Sequence, residues 1–83
     1  MTNQDDLRDL RDMIEIINTT IEINAKEEEF YRRSAAASSR EGTRALFLEI
    51  ADEVAQFLNT LRARRQNLWS ALHDLETAQK KSR

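Results

Sequence analysis

Four polar side chains at helical spacing are the residues of this chain that could bind a metal ion: Glu27, Glu28, Glu53 and Gln56. Oxygen ligands of this kind hold Ca²⁺, Mg²⁺ or Mn²⁺ in proteins. Glu53 and Gln56 are three residues apart, so they would share one side of a helix. Because such a site needs further carboxylates, a second copy of the chain would have to supply them. A carboxylate metal site between copies of the chain is therefore one hypothesis for the function.

A second interpretation of the acidic residues is an ordinary solvated helix face. Its members would be Glu27, Glu29, Glu49, Asp52 and Glu53, paired in part with Lys26, Arg32 or Arg33. Successive residues of an α-helix point about 100° apart, so Glu53 points away from Val54, which belongs to an apolar stripe. For this reason we favour the solvated face over the metal site.

Two apolar stripes predict the elements that position these residues. The first contains Leu7, Leu10, Ile14, Ile17 and Ile21 and continues at the same spacing into Asn24, Glu28 and Tyr31. The second contains Phe47, Ile50, Val54, Phe57, Leu61, Leu68, Leu72 and Leu75. Steps of three, four and seven residues are typical of packed helices and not of strands. The sequence therefore predicts an all-α fold with two long helices.

A turn between the helices is predicted at the one cluster of small and polar residues, which also holds the single glycine. We predict one helical-hairpin domain over 1–83, with helix 1 at about 4–38, a turn at about 39–43, helix 2 at about 43–78 and a basic tail at 79–83. The first stripe keeps its phase across Thr19, which favours a continuous helix 1 over a kink near that residue.

The two stripes pair consistently if the hairpin is antiparallel. Facing residues then have numbers that add up to about 81, which sets Ile21 against Leu61 and places Glu15 near Arg64 and Arg65.

Further apolar residues flank the stripes and would stay uncovered on a single hairpin. They are Met13, Ile16, Ile23 and Phe30 in the first helix and Leu46, Leu58 and Trp69 in the second. The simplest closed arrangement that covers them is a two-fold homodimer that forms a four-helix bundle. A higher oligomer, or docking onto the helices of another protein, would cover them in the same way.

The composition excludes several classes of function. Thirteen basic and 15 acidic residues give a net charge of -2, which does not favour a nucleic-acid partner. The chain has no cysteine and one histidine, so a conventional zinc cluster is excluded. No apolar run reaches the length of a membrane span, and the first residues lack the pattern of a signal peptide. We therefore expect a cytoplasmic protein without a membrane partner.

Two sequence stretches resemble a known helical hairpin. Asn-Ala-Lys-Glu-Glu-Glu-Phe-Tyr at 24–31, followed by Leu-Phe-Leu-Glu-Ile-Ala-Asp-Glu-Val-Ala-Gln-Phe at 46–57, is similar to the rubrerythrin branch of the ferritin-like superfamily. In that family a metal-binding Glu lies seven residues before a Tyr in the first helix. The second helix carries Glu-x-x-His, and these residues are ligands of a di-iron centre. The resemblance implies a ferritin-like four-helix bundle.

The same resemblance implies that the di-iron ligands are missing here. The three ligand positions fall on Asn24, Val54 and Phe57. Valine and phenylalanine side chains have no lone pair to offer a metal. The expected function is therefore a non-catalytic assembly or protein-interaction module without a cofactor, and the alternative is iron oxidation or storage at interface carboxylates.

The polar end of the first stripe has a structural interpretation as well. Asn24, Glu28 and Tyr31 would form a buried polar layer at the middle of the bundle. A layer of this kind penalises slipped or wrongly assembled bundles, because its groups lose their partners in any other register.

Overall fold

The structure is a computed structural model that describes residues 3–81. Helix α1 spans Asn3–Ala37 and helix α2 spans Glu41–Lys81. They pack against each other as a hairpin in a rod of 65 × 16 × 14 Å. The predicted all-α helical hairpin is thus confirmed, whereas residues 82 and 83 of the predicted tail lie outside the described residues.

Helix α1 is continuous through the two threonines near its centre. The hydroxyl of Thr19 donates to the carbonyl oxygen of Glu15 at 3.1 Å, and that of Thr20 donates to the carbonyl oxygen of Ile16 at 2.9 Å. Such bonds to the residue four positions earlier satisfy a hydroxyl without interrupting a helix. The prediction of an unbroken first helix is confirmed.

The connection between the helices consists of Ser38, Ser39 and Arg40. The backbone N–H of Ser38 donates to the carbonyl oxygen of Ala35 at 3.1 Å, which closes the end of α1. The guanidinium of Arg44 donates to the carbonyl oxygen of Ser38 at 3.0 Å. Because α1 has no basic residue in its last turn, Arg44 supplies the positive charge that the carbonyl end of a helix favours.

Gly42 lies in the first turn of α2 and not in the connection. The helix begins at Glu41 and ends at Lys81, so it starts about two residues earlier and ends about three residues later than the sequence pattern indicates. Gly42 has no positive φ, and no atom lies within 4 Å of the position that its Cβ would occupy. The fold therefore does not require a glycine here.

The first apolar stripe forms the seam on α1, as predicted. Leu7, Ile14 and Ile21 are buried, and Leu10 and Ile17 are half-buried. Ile21 packs in one cluster with Leu58 and Leu61 of α2, and Ile17, Ala25 and Val54 pack against this cluster. The predicted proximity of Ile21 and Leu61 is therefore correct, and so is the register.

The seam on α2 differs from the predicted stripe at three residues around Val54. Leu58 is 1% exposed and Ala51 is 0% exposed, whereas Phe57 is 48% exposed. The prediction that Leu58 lies on an open flank and Phe57 in the seam is therefore wrong for the hairpin. The predicted stripe and the observed seam both alternate steps of three and four residues. The structure buries Ala51 of α2 and Ala35 of α1 in the seam.

Within residues 3–81, neither helix contains a segment long and apolar enough to cross a membrane.

Candidate interaction surface

One edge of the hairpin is polar and carries bonds between the two helices. Arg11 donates to Glu76 at 3.1 Å, Arg65 donates to Asn18 at 3.0 Å, and Arg32 donates to Asp52 at 3.3 Å. The α1 members of these pairs are separated by seven and fourteen residues, so they lie on one line along the helix. We call this line the polar edge.

Arg32 joins three charged side chains on the polar edge. Its Nε donates to Glu28 at 2.8 Å and its Nη2 donates to Asp52 at 3.3 Å. These bonds raise the pKa of the Arg32 guanidinium above its ordinary value, and the bond that it donates to Glu28 is the larger cause, followed by the bond that it donates to Asp52. All three side chains retain contact with solvent. The group links the helices but forms no enclosed charged site.

Arg65 interrupts the apolar seam of α2, which the sequence pattern did not indicate. It lies four residues after Leu61 and three before Leu68, which is the spacing of the seam, and it is half-buried. Its guanidinium lies 4.8 Å from the ring centre of Trp69, a cation–π contact. The guanidinium of Arg65 donates to Asn18, which lies three residues after Glu15 on α1. The signal in the sequence was the position of Arg65 itself, because a charged residue stands where the spacing of the seam calls for an apolar one.

The opposite side of the hairpin is apolar and uncovered. A groove of about 450 Å³ between the helices is lined by Met13, Ile16, Ile17, Arg64, Asn67 and Leu68. The groove shows which positions of α1 and α2 meet on this side. From these positions, steps of seven residues along each helix identify the residues nearer the turn that lie on the same side, because residues a heptad apart share a helix face.

We call this surface the open face. Its apolar residues are Met13, Ile16, Ile23, Phe30, Leu46, Ile50 and Phe57. Ile16 is 65% exposed and Phe30 is 62% exposed. From Met13 to Phe30 the face extends for about 25 Å along α1. Isolated monomers rarely expose so many large apolar side chains on one side, so the open face is a candidate interaction surface.

Two of the candidate metal-binding carboxylates lie on the open face. On α1, Glu27 lies four residues after Ile23 and three before Phe30. On α2, Glu53 lies three residues after Ile50 and four before Phe57. Their residue numbers add up to 80, so they lie at about the same level of the hairpin. Glu28 lies elsewhere, because its carboxylate binds Arg32.

The four candidate ligands are therefore not brought together within one hairpin. Glu27 and Glu28 point about 100° apart around α1, and Gln56 is exposed on α2. Across residues 3–81, no group of three or more acidic, histidine or cysteine side chains is placed to hold a metal ion. As the solvated-face interpretation expected, acidic side chains pair with neighbouring bases: Glu29 binds Arg33, and Asp52 binds Arg32.

The three residues of the expected polar layer are half-buried. The amide of Asn24 donates to the carbonyl oxygen of Thr20 at 2.8 Å, and Glu28 binds Arg32. The ring of Tyr31 lies 6.2 Å from that of Phe47, so Tyr31 packs across the seam. No polar or charged side chain of the described part of the chain is fully buried in the hairpin. A closed polar layer stays a prediction for an assembled form.

The positions that correspond to the di-iron ligands have two different surroundings. Asn24 and Val54 lie on the seam, where Val54 packs against the cluster of Ile21, Leu58 and Leu61. Phe57 lies on the open face. Its ring would therefore reach the interior of a bundle only if a partner covered that face.

Comparison of the chain with protein families, with curated proteins and with solved structures found no match.

Proposed function

We propose that this protein is a non-catalytic assembly module whose hairpins associate through the open face into a four-helix bundle. The observation that carries the proposal is the division of the hairpin into a polar edge, with Arg11, Asn18 and Arg32, and an apolar face on the other side. Inter-helix hydrogen bonds stabilise the hairpin on one side. The other side leaves large apolar side chains that gain free energy on burial.

The dimensions of the hairpin support a second copy as the partner. One broad side of a rod of 65 × 16 Å has a projected area of about 1,000 Å². Stable interfaces bury about 800 Å² on each partner, so a dimer would use this side well beyond the 25 Å of the open face. The net charge of -2 gives little repulsion between copies. A bundle formed in this way would have ferritin-like proportions, with Val54 and Phe57 in its interior.

Matched substitutions on the two sides test the proposal. Ile23 on the open face is 54% exposed, and Leu48 beside Arg32 on the polar edge is 41% exposed. In size-exclusion chromatography with light scattering, Ile23→Glu should dissociate the assembly while Leu48→Glu leaves its mass unchanged. Equal effects of the two variants, or no effect of Ile23→Glu, would contradict the assignment of the open face.

The alternative function is a metal-binding ferritin-like protein, and one observation favours it. Glu27 and Glu53 lie at one level of the open face, so a dimer with both turns at the same end would gather four carboxylates. Iron binding measured by elemental analysis, together with loss of binding in Glu53→Gln, would support this alternative. A dimer that retains no iron after loading and gel filtration would count against it.

A further inference from the structure

The border of the open face on α1 has a distinct order of charges. Every seventh residue along this border is exposed, and the series reads Asp5, Asp12, Thr19, Lys26 and Arg33. Thr19, Lys26 and Arg33 each lie three residues after an apolar residue of the open face, and Asp12 lies four residues before Ile16, so this part of the series runs beside the apolar surface, whereas Asp5 precedes it. Two acids therefore precede Thr19 and two bases follow it, at equal distances from that residue.

This order is complementary to itself when the direction is reversed. If two copies of α1 cross antiparallel near Thr19 and Thr20, Asp12 of one copy faces Lys26 of the other and Asp5 faces Arg33. The present partners of the bases are close neighbours on the same helix: Lys26 lies 3.7 Å from Glu22, and Arg33 binds Glu29. Exposed pairs of this kind contribute little, so they can be exchanged for contacts between copies.

Resting on the proposed function, we infer that the partner of the open face is a second copy of this chain in a head-to-tail orientation. The two-fold axis passes beside Thr20 and places the two turns at opposite ends of the bundle. Ile16 of one copy then packs near Ile23 of the other, since both are about equally far from the axis. Thr20 is half-buried and borders a groove next to Ile16, so it is placed for a contact with its own copy.

The opposite orientation is disfavoured by the glutamates on the open face. With both turns at one end, α1 of one copy lies over α2 of the other at the same level. Glu27 of each copy would then face Glu53 of the other, and four carboxylates would share one layer of an apolar interface. In the head-to-tail orientation, Glu27 of each copy lies about 10 Å from the axis, so the two are about 21 Å apart. Separation of like charges thus favours the head-to-tail arrangement.

A single introduced cysteine tests this orientation, because the chain has no cysteine of its own. Thr20→Cys should form a disulfide-linked dimer under mild oxidation, since the axis brings the two thiols together. Ser34→Cys is the matched control. It lies two heptads along the same line, and its two copies would be about 42 Å apart, so it should stay unlinked.

The outcomes separate the orientation from the self-association. A dimer in which Cys at position 20 stays unlinked would overturn the orientation but leave the proposed function intact. A monomer by light scattering would overturn both. Equal linking of both variants would also overturn the orientation, because it indicates unspecific contact.

Exchange of charges gives a second test that needs no disulfide. Asp12→Lys or Lys26→Asp should weaken the dimer about tenfold, because each change affects two contacts by symmetry. The double variant should restore the affinity of the original chain. Single variants without effect, or a double variant weaker than both, would contradict the head-to-tail contacts.

Discussion

Truncation of the adjacent residues Phe57 and Leu58 should weaken two different properties, the association between copies and the stability of the hairpin. Leu58 is 1% exposed and packs with Ile21 and Leu61 at the centre of the seam. Leu58→Ala should therefore reduce the free energy of unfolding by about 2 to 5 kcal/mol, the cost of lost burial and of the cavity left behind. Because the defect lies within each hairpin, the loss should appear in the monomer as well as in the dimer.

Phe57→Ala should instead weaken association between copies. Phe57 is 48% exposed on the hairpin, so a partner would bury about half of its surface. Full burial of such a side chain contributes about 1.5 to 3 kcal/mol, and half of this for two copies gives about 1.5 to 3 kcal/mol for each dimer. The Kd of the dimer should therefore rise about 10- to 150-fold.

Urea denaturation over about a hundredfold range of protein concentration distinguishes the two effects. For Leu58→Ala the midpoint should fall at every concentration. For Phe57→Ala it should fall most at concentrations where the original chain is dimeric and approach the original value where both are monomeric. If Phe57→Ala were as destabilising as Leu58→Ala in the monomer, the assignment of Phe57 to the open face would be refuted.

Three further substitutions give independent expectations. Gly42→Ala should raise the free energy of unfolding by about 0.4 to 1 kcal/mol in thermal or urea denaturation, because the residue is helical with space for a Cβ. Val54→Asp should lower it by about 2 to 3 kcal/mol in the same assay, since a charge would lie against the apolar cluster, whereas Ala63→Asp on the exposed surface should have little effect. Arg32→Met should lower the melting temperature slightly at low salt and less at high salt, because Arg32 binds the half-buried carboxylate of Glu28 and the exposed carboxylate of Asp52. The raised pKa of Arg32 favours the folded state below the ordinary guanidinium pKa, and this contribution is lost only as the pH rises through the raised value. The arginine itself should therefore stay protonated between about pH 5 and pH 9.

The sequence was sufficient to predict α1 and its register but not the inward side of α2. On α1, the apolar residues from Leu7 to Ile21 lie along one line, so the pattern predicts a single inward side. On α2, apolar residues lie on both sides of Val54, with Ile50 and Phe57 on one and Ala51 and Leu58 on the other. Periodicity cannot choose between them, because both sets alternate steps of three and four. In the structure Ala51 and Leu58 face inward, and Leu58 packs with Ile21 and Leu61.

The polar contacts of the candidate surface were less accessible from the sequence. The pairing of acidic residues with Arg32 and Arg33 followed from helical spacing, which fixes neighbours four residues apart. The bonds from Arg65 to Asn18 and from Arg11 to Glu76 join residues far apart in sequence. Long arginine side chains reach several acceptors, so a register accurate to a few residues could not select the right ones.

The mass of the unmodified chain in solution decides whether the open face is a surface for self-association. Sedimentation equilibrium over a range of concentrations should show a species of twice the 9.7 kDa mass of one chain, or a higher multiple, with a dissociation that depends on concentration. A folded, helical protein that stays at 9.7 kDa at every concentration would contradict the proposed assembly.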